Sequence, residues 1–450
     1  MARESTGGLS RRSFLSNLAR AGAVGGAGLM APSLLAACGG RGGGSAGGDL
    51  TAQVFATGLD PTNKLLPTFS QQYGKAAKAI TIPSDYYTVT EARFLGGTPP
   101  FDSLDFDPGY VTKFSQNGWI TDLDGLPGVD KLKADMYPST LEALTGPDGK
   151  LWGLPFYTNI KSLFANQEAL AQNGMSVAKD WDELLDQGKS LKAAGVPTPV
   201  VPVWTTKFNL TKEQFVTECV SRGMQQQFDD NLDPLWDKDP VARQVLDFWR
   251  QLQDADLVPA DALTIDHQQS TSVVQSGRGV YMWFNSYQLK KLNTPGQSVV
   301  AGKMRAALMP GQTQMCGVST SMTFQTKRSN REEAWQLTSF LSGLDKDGRY
   351  TGPLQRSAIA NGVLLGYKSA NADPAVAQAW AQWANKDDLD VMSKQLELSV
   401  GEGTVQNQKW YPDYSDFMTK TLSQYLAKQI SADDALGTTA EHVRTLKAQQ

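Results

Sequence analysis

The sequence predicts an α/β protein built from more than one lobe, and three observations carry that expectation. The chain has 450 residues, 40% of them hydrophobic, which is long for one domain and apolar enough for sizeable cores. Residues 49–69 set a strand pattern directly before a helix pattern. Residues 148–170, DGKLWGLPFYTNIKSLFANQEAL, read as a strand crossing from one lobe to another. In that stretch β-preferring Leu151, Trp152, Leu154, Phe156, Ile160, Leu163 and Phe164 are interrupted by Pro155 and by the polar set Tyr157, Thr158 and Asn159. Proline removes a ladder donor, so one uninterrupted central strand is not expected. Asn166 then stands where it can cap a helix running to the break at Gly174.

Composition narrows the function. The net charge is only −4 and no basic cluster recurs after the N-terminus, which argues against a nucleic-acid partner. There are 11 Trp, 13 Tyr and 17 Phe but two histidines, His267 and His442, so aromatic stacking is better supplied than imidazole chemistry. No C-x-x-C, no H-E-x-x-H and no histidine cluster occurs, and neither a metal nor a cofactor is expected. Once Cys38 is set aside, Cys219 and Cys316 remain. They could pair in an oxidising compartment, but no spacing rule supports it, and buried free thiols are the reading adopted.

The N-terminus reads as a targeting segment. Ser10-Arg11-Arg12-Ser13-Phe14-Leu15 resembles a twin-arginine export motif, a weakly apolar stretch follows, and Leu35-Ala36-Ala37-Cys38 matches a bacterial lipobox. Residues 1–37 are then a lipoprotein signal peptide with Arg11 and Arg12 as the export motif. Cys38 is the lipidation site, and residues 38–48 are a Gly/Ser tether. The Gly-rich tether also matches the dinucleotide fingerprint and the nucleophile elbow, yet neither match follows a strand or opens a helix, and both are read as chance.

Taking the body in order, residues 49–56 read as the first strand, and residues 57–61 turn into a helix through Phe69. Residues 79–83 read as a second strand and 91–95 as a helix ending at Gly96-Gly97. Residues 99–126 hold a buried strand, an acidic-aromatic loop, a helix through Gln116 and a short edge strand. Asp105, Phe106, Asp107 and Tyr110 fall at that strand's carboxyl end, where open α/β sheets bind ligands. Asp105 and Asp107 read equally well as capping carboxylates. The adjacent Tyr86 and Tyr87 raise iron as a minor alternative.

Further on, residues 181–195 give a helix with Asp180 as its cap and an apolar face of Trp181, Leu184, Leu185 and Leu191. Residues 197–204 read as a proline-bounded strand delivering Trp204 to a polar loop, and residues 231–240 as an exposed connection before a helix at 241–252. Residues 280–284 read as a buried strand ending in exposed Asn285-Ser286-Tyr287. Residues 304–326 give two strands around a return at Pro310-Gly311, residues 331–341 a helix, and residues 414–446 closing helices.

Five of these segments, in this order, resemble the family 1 extracellular solute-binding proteins of ABC importers, the maltose-binding-protein-like group. They are PPFDSLDFDPGYVTKFSQNGWITDLDGL, the crossing at 148–170, WDELLDQGKSLKAAG, SGRGVYMWFNSYQL, and the pair MRAALMPGQ and REEAWQLTSFL. Leu354-Gln355-Arg356-Ser357 and Asp433-Asp434-Ala435-Leu436 add shorter matches, so that the resemblance spans about residues 49–446. It departs from the family where Ser286 replaces a glycine and Tyr287 supplies the aromatic. The resemblance implies a two-lobed periplasmic-binding-protein fold, type II-like, with discontinuous lobes joined by hinge crossings. Residues 49–158 plus 311–352 would form the N-terminal lobe and 159–310 plus 353–450 the C-terminal lobe.

The resemblance further implies a non-enzymatic, monomeric receptor, and the twin-arginine and lipobox motifs imply that it is exported and lipid-anchored at the outer face of the cytoplasmic membrane. It would capture a small solute and deliver it to an ABC permease. Sugars fit the aromatic supply, because their rings have apolar faces and a hydroxyl rim. The expected ligand-binding residues are Phe106, Asp107 and Tyr110 from one lobe, Tyr157, Asn159, Trp204, Asn285 and Tyr287 around the crossing and the other lobe, and Trp410 late in the chain. Two alternatives stay open. One is a receptor for a non-carbohydrate solute. The other is an exported glycosidase, which would need two carboxylates about 5–10 Å apart, a pair that no motif nominates.

Overall fold

Strand β1 (Leu50–Gln53) is buried at all four residues, and burial on both faces is the reason its sequence alternates only weakly. The computed structural model describes residues 49–82, 86–97, 99–158, 160–224, 226–311, 314–315, 321–348 and 362–449. Arg11, Arg12, Cys38, the tether, Asn159, Cys316 and residues 354–357 lie outside the described residues. β2 (Ala77–Ile80) and β3 (Ser103–Phe106) run parallel to β1. β4 (Gly153–Tyr157) and β5 (Lys161–Asn166) follow consecutively, separated only by residues 158–160. They belong to different sheets, which makes the expected crossing real.

The second lobe's sheet sets β5 between β6 (Tyr281–Asn285) and β7 (Met304–Ala307), antiparallel to both. A two-residue β8 (Gln314–Met315) pairs with β10 (Ser399–Val400), and β9 (Ser321–Gln325) returns to the first sheet. That first sheet has the order β2-β1-β3-β9-β4, with β9 antiparallel to both of its neighbours. Pro155 therefore sits on an edge strand, where a missing N–H is tolerated, and the register shifts between Pro155 and Tyr157.

Local signals are obeyed where they are caps. Asp180 accepts from Glu183 N at 2.8 Å and starts the helix Trp181–Ala193. Asn166 accepts from Ala169 N at 3.1 Å and starts the helix Gln167–Gln172. The helix Arg331–Leu341 falls on the expected residues. Inside the helix Trp181–Ala193, Gly188 sits at a close approach: a Cβ there would lie 3.1 Å from Leu257 Cδ1 and 3.3 Å from Val200 Cγ2, so those side chains would have to shift by a few tenths of an ångström.

Tertiary packing overrides the sequence in five places. The turn expected at 57–61 is helical, within Ala56–Tyr73, despite Pro61 and Pro67. Burial of Leu65, Leu66 and Phe69 against Leu337, Phe340 and Leu341 stabilises that helix. The second helix begins at Tyr86 rather than at residue 91, because Tyr86, Thr90 and Phe94 share a buried face. Residues 197–204 are not a ladder strand. Pro197, Pro199 and Pro202 remove donors, and only Val200 forms a bridge, to Tyr281. Trp236, in the connection expected to be exposed, is fully buried and stacks on Tyr414 at 5.5 Å. Asn285 and Ser286, expected exposed, are buried.

The helix Leu210–Ser221 is buried on nearly every side, so its polar residues need partners inside the fold. Glu218 accepts from Trp249 Nε1 at 3.0 Å and from Trp283 Nε1 at 3.1 Å. Burial pushes its carboxyl up to about 8, against the opposing charge of Arg222 and the two indole hydrogen bonds. Because the folded state holds the proton more tightly than the unfolded state, stability should decline from the ordinary carboxylate range of about 4 upward. It should level off once pH has passed about 8. Denaturant titrations of the wild type and Glu218→Gln across this range are expected to show the decline in the wild type and a flatter profile in the variant. A tryptophan fluorescence titration should carry the same midpoint and lose it in Glu218→Gln.

Candidate functional site

At the end of β3 the sequence Asp107-Pro108-Gly109 makes a single 3₁₀ turn, Pro108–Tyr110, with Asp107 as its N-cap and proline at its start. Asp107 accepts from Gly109 N at 2.8 Å, so the capping reading is realised. Its carboxylate is also placed where it feels Glu213 and Lys212 of the helix Leu210–Ser221 and Glu402 beyond β10. Burial is the largest cause of its upward shift to about 6; Gly109 N and Lys212 oppose the shift, and Glu213 and Glu402 add to it. Asp105, two residues earlier on β3, is buried with Oδ1 unpartnered, and burial holds its carboxyl well above the usual range.

The aromatic wall around this turn is built on Phe106. Fully buried, Phe106 packs against Tyr87 at 4.9 Å, Tyr110 at 4.8 Å and Phe114 at 4.9 Å. It is a support for the wall and not its face. Tyr87 and Tyr110, both half-buried, stack on each other at 5.4 Å with 24° between their planes. Tyr86 is packed within the same group, and its hydroxyl, which the paired-tyrosine iron alternative would use, donates to the main-chain oxygen of Asp105 at 2.7 Å.

Across the crossing, Lys161 opens β5 with its side chain 1% exposed. Its Nζ donates to Glu213 Oε2 at 2.7 Å and to Asn285 Oδ1 at 2.8 Å, and lies 4.8 Å from the Phe284 ring centre. Tyr287 packs edge-on to Phe284 at 6.3 Å. Burial pushes the Tyr287 hydroxyl up to about 12, with Asn285 opposing and Glu213 adding. Asn285 and Tyr287 are thus brought together with Lys161 and Glu213.

A second buried ion pair joins Lys212 to Glu402, each side chain 2% exposed. Lys212 Nζ also donates to the Tyr411 hydroxyl at 2.9 Å and lies 4.8 Å from that ring's centre. Glu402 is held between Gly401 and Gly403. Gly403 has φ +74°, and a Cβ on Gly401 would lie 2.8 Å from Glu142 Oε2. A narrow groove of about 30 Å³ runs between the 3₁₀ turn and the start of the helix Tyr411–Leu426, walled by Gly109, Tyr110, Lys113, Gln408, Lys409 and Pro412.

Two expected platforms are elsewhere. Trp204 is 1% exposed and packs against Trp249 at 5.4 Å in the second lobe's core. Trp410 is buried against Phe228 at 6.1 Å and Tyr414 at 6.3 Å. Both rings contribute more by filling the core than by facing a loop. Tyr157 ends β4, where its main chain pairs with Ser321, and Asn159 lies outside the described residues. Sequence reasoning missed Lys161, Lys212, Glu213 and Glu402. A lysine opening an apolar strand, and a glutamate between two glycines, are the signals that could have found them.

Removing one member of a buried pair leaves the other charge uncompensated. Lys212→Met should therefore lose about 3–5 kcal/mol of stability, and the double variant Lys212→Met/Glu402→Gln should regain most of it. Equal losses in the single and double variants, measured by denaturant unfolding, would show that the pair carries no such coupling.

A family model described as bacterial extracellular solute-binding protein matches residues 56–390. No curated protein matches the chain in sequence. Among solved structures, the chain is similar to maltose-bound MalE3 of T. maritima, with TM-score 0.74 and 20% identity over 88% of this chain and 99% of that one. It is similar to the sugar-binding protein MalE of Xanthomonas citri, with TM-score 0.73 and 15% identity over 89% and 98%. An ABC transporter solute-binding protein of Agrobacterium vitis S4 with bound D-mannitol gives TM-score 0.68 and 19% identity over 89% and 98%. At these identities the likeness is one of fold, and the shared fold is two-lobed and α/β.

Proposed function

Since the chain belongs to the bacterial extracellular solute-binding protein family, we propose that it is the substrate-binding component of an ABC importer for a sugar or oligosaccharide. It captures the ligand between its lobes by hinge closure and passes it to a membrane permease. The observation that carries this reading is the meeting of two unlike surfaces at the crossing. The first lobe offers the Tyr87–Tyr110 stack, a face for the apolar side of a sugar ring. The second offers Asn285, Tyr287 and the Lys161–Glu213 pair, planar and charged groups suited to hydroxyls. The maltose- and mannitol-bound structures of the same fold support the same ligand class.

The site is read as a receptor and not as a glycosidase because the family model and the maltose- and mannitol-bound structures of the same fold are of binding proteins, and because Glu213 and Glu402 are each engaged by a buried lysine. The ligand surface proposed is Asp107, Tyr110, Asn285 and Tyr287, together with Tyr87, and with Tyr157 and Asn159 from the crossing. The lobes are taken as residues 49–158 plus 311–352 and residues 159–310 plus 353–450. Residues 1–37 are proposed as a twin-arginine lipoprotein signal, Cys38 as the lipidated residue of a membrane-tethered monomer, and residues 38–48 as its tether.

A thermal-shift screen of the purified protein against mono- and oligosaccharides tests the reading. A ligand at a hundred times its dissociation constant should stabilise the native state by about 2.7 kcal/mol. Asn285→Ala is expected to weaken that ligand about tenfold or more, the loss of one hydrogen bond to a charge-linked amide. No shift with any sugar would move the reading to another solute, and release of cleavage products would overturn it in favour of hydrolysis.

A further inference from the structure

The charges around the 3₁₀ turn do not balance. Asp107 faces Lys212 and Glu213 from the helix Leu210–Ser221 and Glu402 from the turn beyond β10. On its own lobe stand Asp105 behind it, Tyr110 beside it and the Lys113–Glu91 pair, bonded at 2.6 Å. From the helix Tyr411–Leu426 come Tyr411, whose hydroxyl meets Lys212, and Asp416, whose charge reaches Tyr110. Of the ammonium groups near the turn, Lys161 is matched with Glu213, Lys212 with Glu402 and Lys113 with Glu91, and Lys409 walls the groove beside Gly109 and Tyr110. Asp105, Asp107 and Asp416 are left over, and of these Asp107 is the one that faces the helix Leu210–Ser221 and Glu402.

A second and independent observation points the same way. Glu402, its side chain 2% exposed, has Oε1 against Lys212 but leaves Oε2 buried with no hydrogen-bond partner among the described residues. Buried acceptors of this kind are costly unless a donor reaches them. A neutral hydroxyl supplies a donor but no charge, whereas an ammonium group supplies both.

On the reading that this cleft takes carbohydrate, we propose that its ligand is an amino-substituted sugar or oligosaccharide whose protonated amine sits against Asp107 and Glu402. The stacked Tyr87 and Tyr110 rings border the same turn, so one ligand can present its ring face to them and its amine to the carboxylates. The upward shift of the Asp107 carboxyl to about 6 is what burial beside like charges gives a carboxylate without a counter-ion of its own.

Isothermal titration of the full chain at neutral pH tests this with matched probes: cellobiose against the β-1,4-linked glucosamine disaccharide, D-glucose against D-glucosamine, and putrescine as an amine without a sugar. The amino member of a sugar pair should bind at least about tenfold tighter than its hydroxyl counterpart. That preference should shrink as pH falls from about 7 to about 5, because Asp107 then takes up a proton. Asp107→Asn keeps a capping oxygen, so the turn is retained, and both it and Glu402→Gln should bring the ratio to within about threefold. Equal or tighter binding of the neutral sugars would overturn the amine inference while leaving the sugar reading intact. Putrescine binding with no sugar binding would overturn the sugar reading and keep the amine. Binding of none of the probes would overturn both, and a preference that survives in Asp107→Asn and Glu402→Gln would overturn the assignment of the amine to these two residues.

Discussion

The buried ammonium of Lys161 is the constraint on which the site's geometry depends. An ammonium removed from water costs several kcal/mol unless opposite charge and good hydrogen bonds meet it. Here Glu213 and Asn285 both do so, at 2.7 and 2.8 Å. Because Lys161 is the first residue of β5, Asn285 the last of β6, and Glu213 in the first turn of the helix Leu210–Ser221, one polar knot fixes three elements at the point where the chain has just left the first sheet. The position of that helix then fixes Lys212, the neighbour of Glu213. Lys212 in turn holds Glu402 and the Tyr411 hydroxyl. The strand that carries the crossing and the late segment that closes against the 3₁₀ turn are linked by two consecutive residues of one helix.

The two sides of the site use different physics. On the first lobe the wall is aromatic, and its stiffness comes from Phe106, which is closed off from solvent and supports Tyr87 and Tyr110 from behind. Aromatic packing of this kind tolerates a range of apolar faces, because dispersion and area burial are only weakly directional. On the second lobe the groups are charged or amide, directional, and already hydrogen-bonded to one another. On the proposed reading, selection among ligands would rest with the polar side, while the aromatic side would supply contact.

Most of the fold was legible because its signals are local. Caps such as Asn166 and Asp180 act within one turn, and Pro155 announces an edge strand wherever it stands, so these assignments survive any tertiary arrangement. The site was less legible. Trp204 and Trp410 follow or precede loop-like sequence, as ligand platforms do, but a large apolar ring gains more from burial in a core, and nothing within a few residues distinguishes the two outcomes. Lys212 and Glu213 look like the solvated face of a helix. Their burial depends on partners about fifty and nearly two hundred positions away in the chain, Lys161 and Glu402, which no periodicity over one helix can reveal.

The distribution of satisfied and unsatisfied groups bears on how such a protein would respond to its ligand. A ligand shifts a conformational equilibrium only by contacts that differ between the two states. The second lobe's ion pairs lie within that lobe's own elements or their immediate connections, so they are formed whether or not the lobes approach each other. Asp107 is different. It follows β3 of the first sheet, and its electrostatic neighbours lie beyond the crossing, so with the lobes as proposed its environment would depend on how closely they come together. Closure without a ligand gathers three carboxylates against two ammonium groups around the crossing. A ligand group that answers the excess charge is present only in the liganded state, and its interaction free energy is gained only when both sides are in contact. For the proposed amine-bearing ligand, the same imbalance would oppose closure of the unliganded chain and would be the source of coupling between capture and closure.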